Sequence, residues 1–163
     1  MSTKIVFFGT PEFAVPALAA LVSAGYEIVA VVTQPDKPVG RGLKMEAPPV
    51  KVKAEELGLK VLQPETLKSP ATIELFKSLN TNIAVCVAYG KIIPKEILDI
   101  FPKGVLNIHP SLLPKYRGPS PIQTAILNGD TETGVTIMLL DEEMDHGPVI
   151  AQSPPLRLRG SKT

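Results

Sequence analysis

Cys86 is the only cysteine in the chain, so no disulfide can form within it and a reducing compartment suits it. It lies in the apolar run Ile83 to Ala88 with no basic residue beside it in sequence, which points to a buried, inert thiol rather than a nucleophile. Net charge is nearly absent as well. Seventeen Lys and Arg stand against 16 Asp and Glu, leaving no global field to attract a polyanion, so affinity for nucleic acid has to come from local clustering. No apolar stretch approaches the roughly 20 residues that span a bilayer. The opening MSTKIVFFG enters a strand-like run at once and leaves no room for a secretory or Arg-rich transit segment. A soluble, cytoplasmic protein is expected. The chain also lacks internal repeats, low-complexity segments and any His/Cys/Asp cluster with metal spacing, so no metal is expected.

Two further absences concern glycine. The turn after the first apolar run reads Gly9-Thr10-Pro11-Glu12, without the second and third glycines of G-x-G-x-x-G, so the backbone clearance that a pyrophosphate needs is missing. No P-loop sequence occurs either. Nicotinamide or flavin chemistry would rest on analogy of fold alone.

What is present is one domain's worth of chain, 163 residues with 44% hydrophobic content. Short β-branched runs alternate with segments of helical spacing, the pattern of an α/β protein with a mostly parallel sheet covered by helices on both faces. Strands are expected at Ile5 to Phe8, Ile28 to Val32, Val61 to Leu62, Ile83 to Val87, Val105 to Ile108, Val135 to Leu140 and Val149 to Gln152. The spacing predicts a helix over Pro11 to Ala24, ended by Gly25, with Phe13, Ala17, Leu18, Leu21 and Val22 on one side. Further helices are expected at Val50 to Leu57, Ala71 to Leu79, Glu96 to Ile100 and Ile122 to Leu127. Pro35 to Pro49 reads as a long loop. In open α/β sheets ligands sit beyond the carboxyl ends of strands, where strand order reverses. Gly9, Gln34, Tyr89, Asn107, His109 and the Asp141 to Gly147 loop all fall at such ends.

Asn107 and His109 alternate with Ile108 along an expected strand, so both project to one face. Taken alone, the pair reads first as a turn-capping amide and a satisfied core histidine. An amide and an imidazole on one face can also donate hydrogen bonds to a carbonyl oxygen that is becoming an oxyanion, the geometry of acyl transfer. A second signal lies between Lys37 and Lys53. Lys37, Arg41, Lys44, Lys51 and Lys53 outnumber the single acid Glu46 by four on a Pro- and Gly-rich segment, which suits contacts to RNA phosphates.

The context of these residues is recognisable. NIHPSLLPKYRGPSPIQTAILNG, with LLDEEMDHGPVIAQ after it, resembles the 10-formyltetrahydrofolate-dependent formyltransferases. FFGTPEFAVPAL and TQPDKPVGRG narrow the resemblance to the branch that acts on methionyl-tRNA, and the likeness runs through nearly the whole chain. It implies that Asn107, His109 and Asp145 are the catalytic residues, with Asp145 orienting His109 and accepting or relaying the proton of the attacking amine. It implies that Ser111, Leu112, Leu113 and Pro114, with Tyr89, Gly90, Lys91 and Ile92, bind the formyl-folate donor. Gly40, Arg41 and Gly42, flanked by Lys37 and Lys44, would meet the initiator tRNA, Arg41 matching the family's key basic residue.

Two departures from the family pattern stand out. The acidic loop usually reads Asp-x-Gly-x-Asp-x-Gly, and Glu143 occupies the place of the first glycine; if that position needs a positive φ, a glutamate costs on the order of 1 kcal/mol and re-aims the loop. His146, next to Asp145, reads as an exposed loop histidine. Family members also continue into further helices and a small basic β-barrel. The expectation is therefore a catalytic domain over 1–153, monomeric when intact, a polar tail over 154–163, and exposed apolar surface where later helices would pack. The alternatives at this point are a formyltransferase for another amine, a formyl-folate hydrolase, and a fragment that binds folate or RNA without turnover.

Overall fold

The structure, a computed structural model, describes residues 3–39, 43–143 and 145–158. The chain divides into two compact units, Met1–Val105 and Leu106–Thr163.

In the first unit, β1 (Lys4–Gly9) leads through a short 3-10 turn, Glu12–Ala14, into α1 (Val15–Ser23), followed by β2 (Glu27–Val32). Two short strands, β3 (Lys37–Val39) and β4 (Lys44–Glu46), precede α2 (Pro49–Glu56), β5 (Val61–Leu62), α3 (Pro70–Ser78), β6 (Ile83–Val87) and α4 (Lys95–Leu98). β1 pairs in parallel with both β2 and β6, and β2 with β5, giving the order β6-β1-β2-β5. The expected α/β architecture with parallel strands is found. β1 carries no inside-outside alternation: Ile5, Val6, Phe7 and Phe8 are all buried, as both faces of a parallel strand require. Phe8 stacks on Phe76 at 5.5 Å and meets the edges of Tyr89 and Phe101 at 5.5 and 6.4 Å. Complete burial of such a ring stabilises the fold by about 1.5–3 kcal/mol.

Strand order reverses at β1, since β2 lies on one side of it and β6 on the other. The carboxyl ends of β1 and β6 therefore flank the switch point of this unit. Thr10 Oγ1, just past β1, donates to the Tyr89 carbonyl, just past β6, at 2.8 Å. Gly9 is required here by close approach. A Cβ on it would come within 2.7 Å of Phe7 Cε1, 3.0 Å of Ala14 Cβ and 3.2 Å of the Val87 carbonyl oxygen.

Two expectations are corrected in this unit. Phe13 is 41% exposed although helical spacing placed it on the buried side with Leu18. It sits in the 3-10 turn, whose three-residue period takes it off the stripe that α1 buries. The segment Pro35 to Pro49 is not a plain loop. It holds the antiparallel pair β3 and β4, with Lys37 opposite Glu46, Pro38 opposite Met45 and Val39 opposite Lys44. Pro38 and the glycines masked the strand pattern.

Asp36 anchors the base of this hairpin. Its Oδ1 accepts from Gln63 Nε2 at 2.7 Å, and Lys51 Nζ donates to both carboxylate oxygens at 2.9 and 2.8 Å. Gln63 Nε2 also donates to the Gln34 carbonyl at 2.9 Å.

The second unit follows on β7 (Val105–His109) and contains α5 (Pro121–Leu127), β8 (Glu132–Thr133), β9 (Thr136–Leu139), β10 (Val149–Gln152) and β11 (Leu156–Arg157). β9 runs antiparallel to both β7 and β10, in the order β10-β9-β7, and β11 pairs antiparallel with β8. The small β8–β11 ladder was not expected, and it takes Leu156 and Arg157 out of the polar tail. β10 is exposed along its length, with Val149 and Ile150 at 49% and 57%, and Leu156 is 50% exposed. Among the described residues no helix is long and apolar enough to cross a membrane.

The hairpin anchor sets a pH dependence. The hydrogen bond from Gln63, then that from Lys51, holds the Asp36 carboxyl below its usual value of 3.8. A lowered carboxylate contributes stability above that usual value and loses it as acid carries the pH down through the lowered one. In an acid titration followed by the amide resonances of Asp36, Lys37 and residues 44–46, the wild-type midpoint should lie below 3.8, and Gln63→Leu should move it upward. An unmoved midpoint would remove Gln63 from the anchor.

Candidate active site

β7 delivers the chemistry of the second unit by alternation. Its burial runs in, out, in, out, in, so Val105, Asn107 and His109 share the inner side while Leu106 and Ile108 lie half-buried on the other. Two polar side chains turned inward at 8% and 4% exposure need partners, because an unmet buried donor costs about 1–3 kcal/mol. Asp145 supplies one for each. Its Oδ1 accepts from Asn107 Nδ2 at 3.3 Å and lies 3.5 Å from His109 Nδ1. Its Oδ2 accepts the Gly118 N–H at 2.8 Å. His109 Nε2 lies 2.8 Å from the Tyr116 carbonyl oxygen. A carbonyl can only accept, so Nε2 carries a hydrogen, and both ring nitrogens face acceptors. The structure thus brings Asn107, His109 and Asp145 together.

Local backbone geometry explains how Asp145 reaches that place. Its φ is +51°, a left-handed conformation that aspartate tolerates better than most residues. Glu143, in the position where the family has glycine, is not left-handed. Its N–H closes a turn on Asp141 Oδ1 at 3.0 Å, and its side chain is exposed. The expected strain therefore falls on Asp145 itself rather than on Glu143. His146 is exposed, as expected, with Glu143 and Asp141 carboxylates 3.7 and 3.8 Å from Nδ1. Gly147 then brings the chain against β9 so closely that a Cβ would collide with the Leu139 carbonyl oxygen, while Leu139 N–H bonds the Pro148 carbonyl at 3.0 Å. That contact fixes the Asp145 loop to the end of β9.

The segment Ser111 to Pro114, expected to meet the folate donor, is a tightly held turn with a cis Leu113-Pro114 peptide. Ser111 Oγ donates to the Lys115 carbonyl at 2.6 Å. Thr136 Oγ1 donates to the Ser111 carbonyl at 2.7 Å and accepts the Leu113 N–H at 3.1 Å. Gln152 Nε2 bridges the Leu113 carbonyl and Thr136 Oγ1 at 2.9 and 3.0 Å. Much of the turn's backbone is thus occupied in holding its own shape. Leu112 is half-buried over Gly134, where a Cβ would lie 2.5 Å from Leu112 Cδ2. Thr136 and Gln152 were not singled out from the sequence. The available signal was a polar residue at an inward position of a strand, since Thr136 and Met138 share the buried side of β9.

The other expected site residues belong to the first unit. The Tyr89 ring is buried in the core against Phe8, its hydroxyl has no partner among the described residues, and burial pushes its ionisation up to about 12. Only its backbone faces the strand-end loops. Gly90 is left-handed at φ +83°, Lys91 Nζ donates to the Glu65 carbonyl at 2.8 Å, and Ile92 is 74% exposed. Lys37 and Lys44 are exposed on the two strands of the β3–β4 hairpin. Gly40, Arg41 and Gly42 lie outside the described residues. Among the described residues no group of three or more His, Cys, Asp and Glu is gathered as a metal ion would need.

The brace under the Ser111 turn is testable. Thr136→Val keeps the shape and removes the hydroxyl, stranding the Ser111 carbonyl and the Leu113 N–H, and should lower stability by about 1–3 kcal/mol in denaturant unfolding. Thr136→Ser should recover most of it. A valine variant as stable as wild type would show that the hydroxyl does not hold the turn.

Residues 3–156 match the family model described as formyl transferase. A methionyl-tRNA formyltransferase from Thermodesulfovibrio yellowstonii is 57% identical over 152 residues, covering 93% of this chain and 49% of that one. One from Chloroflexus aurantiacus is 54% identical over 164 residues, covering 98% and 53%. The chain thus spans about half the length of the curated relatives it matches. Among solved structures, phosphoribosylglycinamide formyltransferase from Bacillus halodurans aligns with a TM-score of 0.77 at 24% identity, covering 99% of this chain and 83% of that one. Formyltetrahydrofolate deformylase from Burkholderia mallei aligns with 0.73 at 21%, covering 99% and 56%; at such identities the likeness is one of fold. The family match takes in Asn107, His109 and Asp145 together with the parallel sheet, and the chain belongs to the formyl transferase family.

Proposed function

We propose that this chain carries the catalytic centre of an enzyme that transfers the formyl group of 10-formyltetrahydrofolate to the α-amino group of methionyl initiator tRNA. The observation that carries the reading is the buried cluster of Asn107 and His109 about the Asp145 carboxylate, in a chain more than half identical to enzymes named for that transfer. A neutral amine attacks the formyl carbon, and a C–N bond forms while the carbonyl oxygen takes up negative charge. The Asn107 amide has a second hydrogen to offer that oxygen, and the His109 ring can donate beside it once its Nε2–H turns from the Tyr116 carbonyl to the formyl oxygen. The nitrogen sheds a proton as it bonds, and Asp145, through His109 or directly, is the base within reach. Collapse breaks the bond to the folate nitrogen, which leaves with a proton, and no acyl-enzyme is needed.

The donor is assigned to Ser111 to Pro114 and to the Tyr89 to Ile92 segment, and the acceptor to Lys37 and Lys44 on the β3–β4 hairpin and to Gly40, Arg41 and Gly42, which lie between them in sequence. Exposed cations on a short hairpin suit a phosphate backbone. Transfer to charged initiator tRNA places the work in the cytoplasm, where translation starts. The turn Gly9-Thr10-Pro11 separates this reading from a formyltransferase for a phosphorylated small amine, which needs a glycine-rich phosphate cradle there.

The test mixes the chain with 10-formyltetrahydrofolate and methionyl initiator tRNA and measures formyl-methionine, beside Asn107→Ala and a blank without tRNA. Formylation should appear and fall by about 10²–10³-fold in the variant, the usual loss for one oxyanion donor. Formate release in the blank at the same rate would point to a hydrolase instead. Full activity in Asn107→Ala would remove the amide from the mechanism.

A further inference from the structure

Gln34 follows β2 and is 8% exposed, yet each polar atom of its side chain has a partner. Nε2 donates to the Tyr89 carbonyl at 3.1 Å, and Oε1 accepts from Lys37 Nζ at 2.8 Å. The amide orientation is fixed by chemistry, because an ammonium can only donate and a carbonyl can only accept. Its main chain is tied as well. The carbonyl accepts from Gln63 Nε2 at 2.9 Å, and the N–H approaches Thr10 Oγ1 at 3.4 Å. Thr10 Oγ1 shares the Tyr89 carbonyl at 2.8 Å. One residue therefore joins the loops after β1, β2, β5 and β6 to the first strand of the basic hairpin.

The contact with the Tyr89 turn is close. Gly90 is left-handed, and a Cβ on it would lie 2.5 Å from Gln34 Nε2, so the amide occupies the space that a side chain at position 90 would fill. An ammonium on Oε1 draws electron density from the amide and strengthens the opposite N–H as a donor. Lys37, exposed on the hairpin, is the one partner in this chain of bonds that a polyanion can draw away.

We propose that Gln34 is a positioning residue that couples the basic hairpin to the Tyr89–Gly90 turn, so that what Lys37 binds alters the turn. The coupling rests on the proposed function only in its consequence: with an acceptor phosphate at Lys37 and a folate at the turn, each ligand feels the other through one side chain. Phosphate contact at Lys37 loosens Gln34's hold on the Tyr89 carbonyl and lets the turn relax, so that a folate there is held less tightly.

The carbon-13 shift of the Tyr89 carbonyl, which reports the hydrogen bonds that oxygen accepts, tests the coupling with no ligand present. Lys37→Met should move it part of the way toward its value in Gln34→Leu, and the double variant should match Gln34→Leu alone. Gln34→Glu retains a partner for Lys37 and loses the donor to Tyr89, so it should move the shift as leucine does. Unchanged exchange protection of the Phe7 and Val31 amides checks that each variant is folded; should Gln34→Leu not fold, Lys37→Met against Lys37→Arg decides the matter. A wild-type shift in Lys37→Met, or additive effects in the double variant, would overturn the coupling. Affinity for a folate analogue, measured on the same samples, should fall as the carbonyl shift moves. If wild type fails to bind the analogue, the donor assignment falls while the carbonyl shift still decides the coupling.

Discussion

A carboxylate closed off from water must be met by donors, and Asp145 has three groups turned toward it in the second unit: the Asn107 amide, the His109 ring and the Gly118 N–H. The carboxylate aligns two side chains that alternation on β7 had only placed on one side. Its own position depends on a left-handed backbone and on the Gly147 contact with β9. The Asn107 and His109 pair, the acid that aligns it and the glycine that positions the acid form one dependency. Thr136 and Gln152 extend it to the Ser111 turn, which leaves β7 directly after His109.

The first unit solves a different problem. A parallel sheet whose order reverses at its central strand leaves strand ends flanking a crevice, and polar groups there need satisfaction without closing it. Thr10, Gln34 and Gln63 supply it by bonding across loops, using the Tyr89 and Gln34 carbonyls as shared acceptors. Asp36 and Lys51 extend the same bonding to the hairpin. The basic strands therefore stand on a fixed base.

Elements that rest on local pattern were legible in the sequence. Ile83 to Val87 is an uninterrupted apolar run and is β6 from end to end; Gly25 ends α1 with the positive φ that glycine allows. The Asn107 and His109 side was readable because strand alternation is strict. The missed features depend on partners distant in sequence. β3 and β4 exist through each other and contain a proline; β8 needs β11, more than twenty residues later; Thr136 matters because the Ser111 turn folds over it. Phe13 went astray because a 3-10 turn changes the period at the start of the helix. The Glu143 substitution drew suspicion for a reason that only backbone geometry could resolve, since the left-handed residue is its neighbour two places on.

The central claim is that the Asp145 carboxylate organises the transfer chemistry without building the donor pocket. Single-turnover formyl transfer in Asp145→Asn, with folate-analogue affinity measured in parallel, tests it most directly. The account predicts that the chemical step slows by about 10²–10⁴-fold, the range for losing a positioned acid or base, while affinity for the analogue stays close to that of wild type. Transfer at the wild-type rate would contradict it, and so would a loss confined to donor binding.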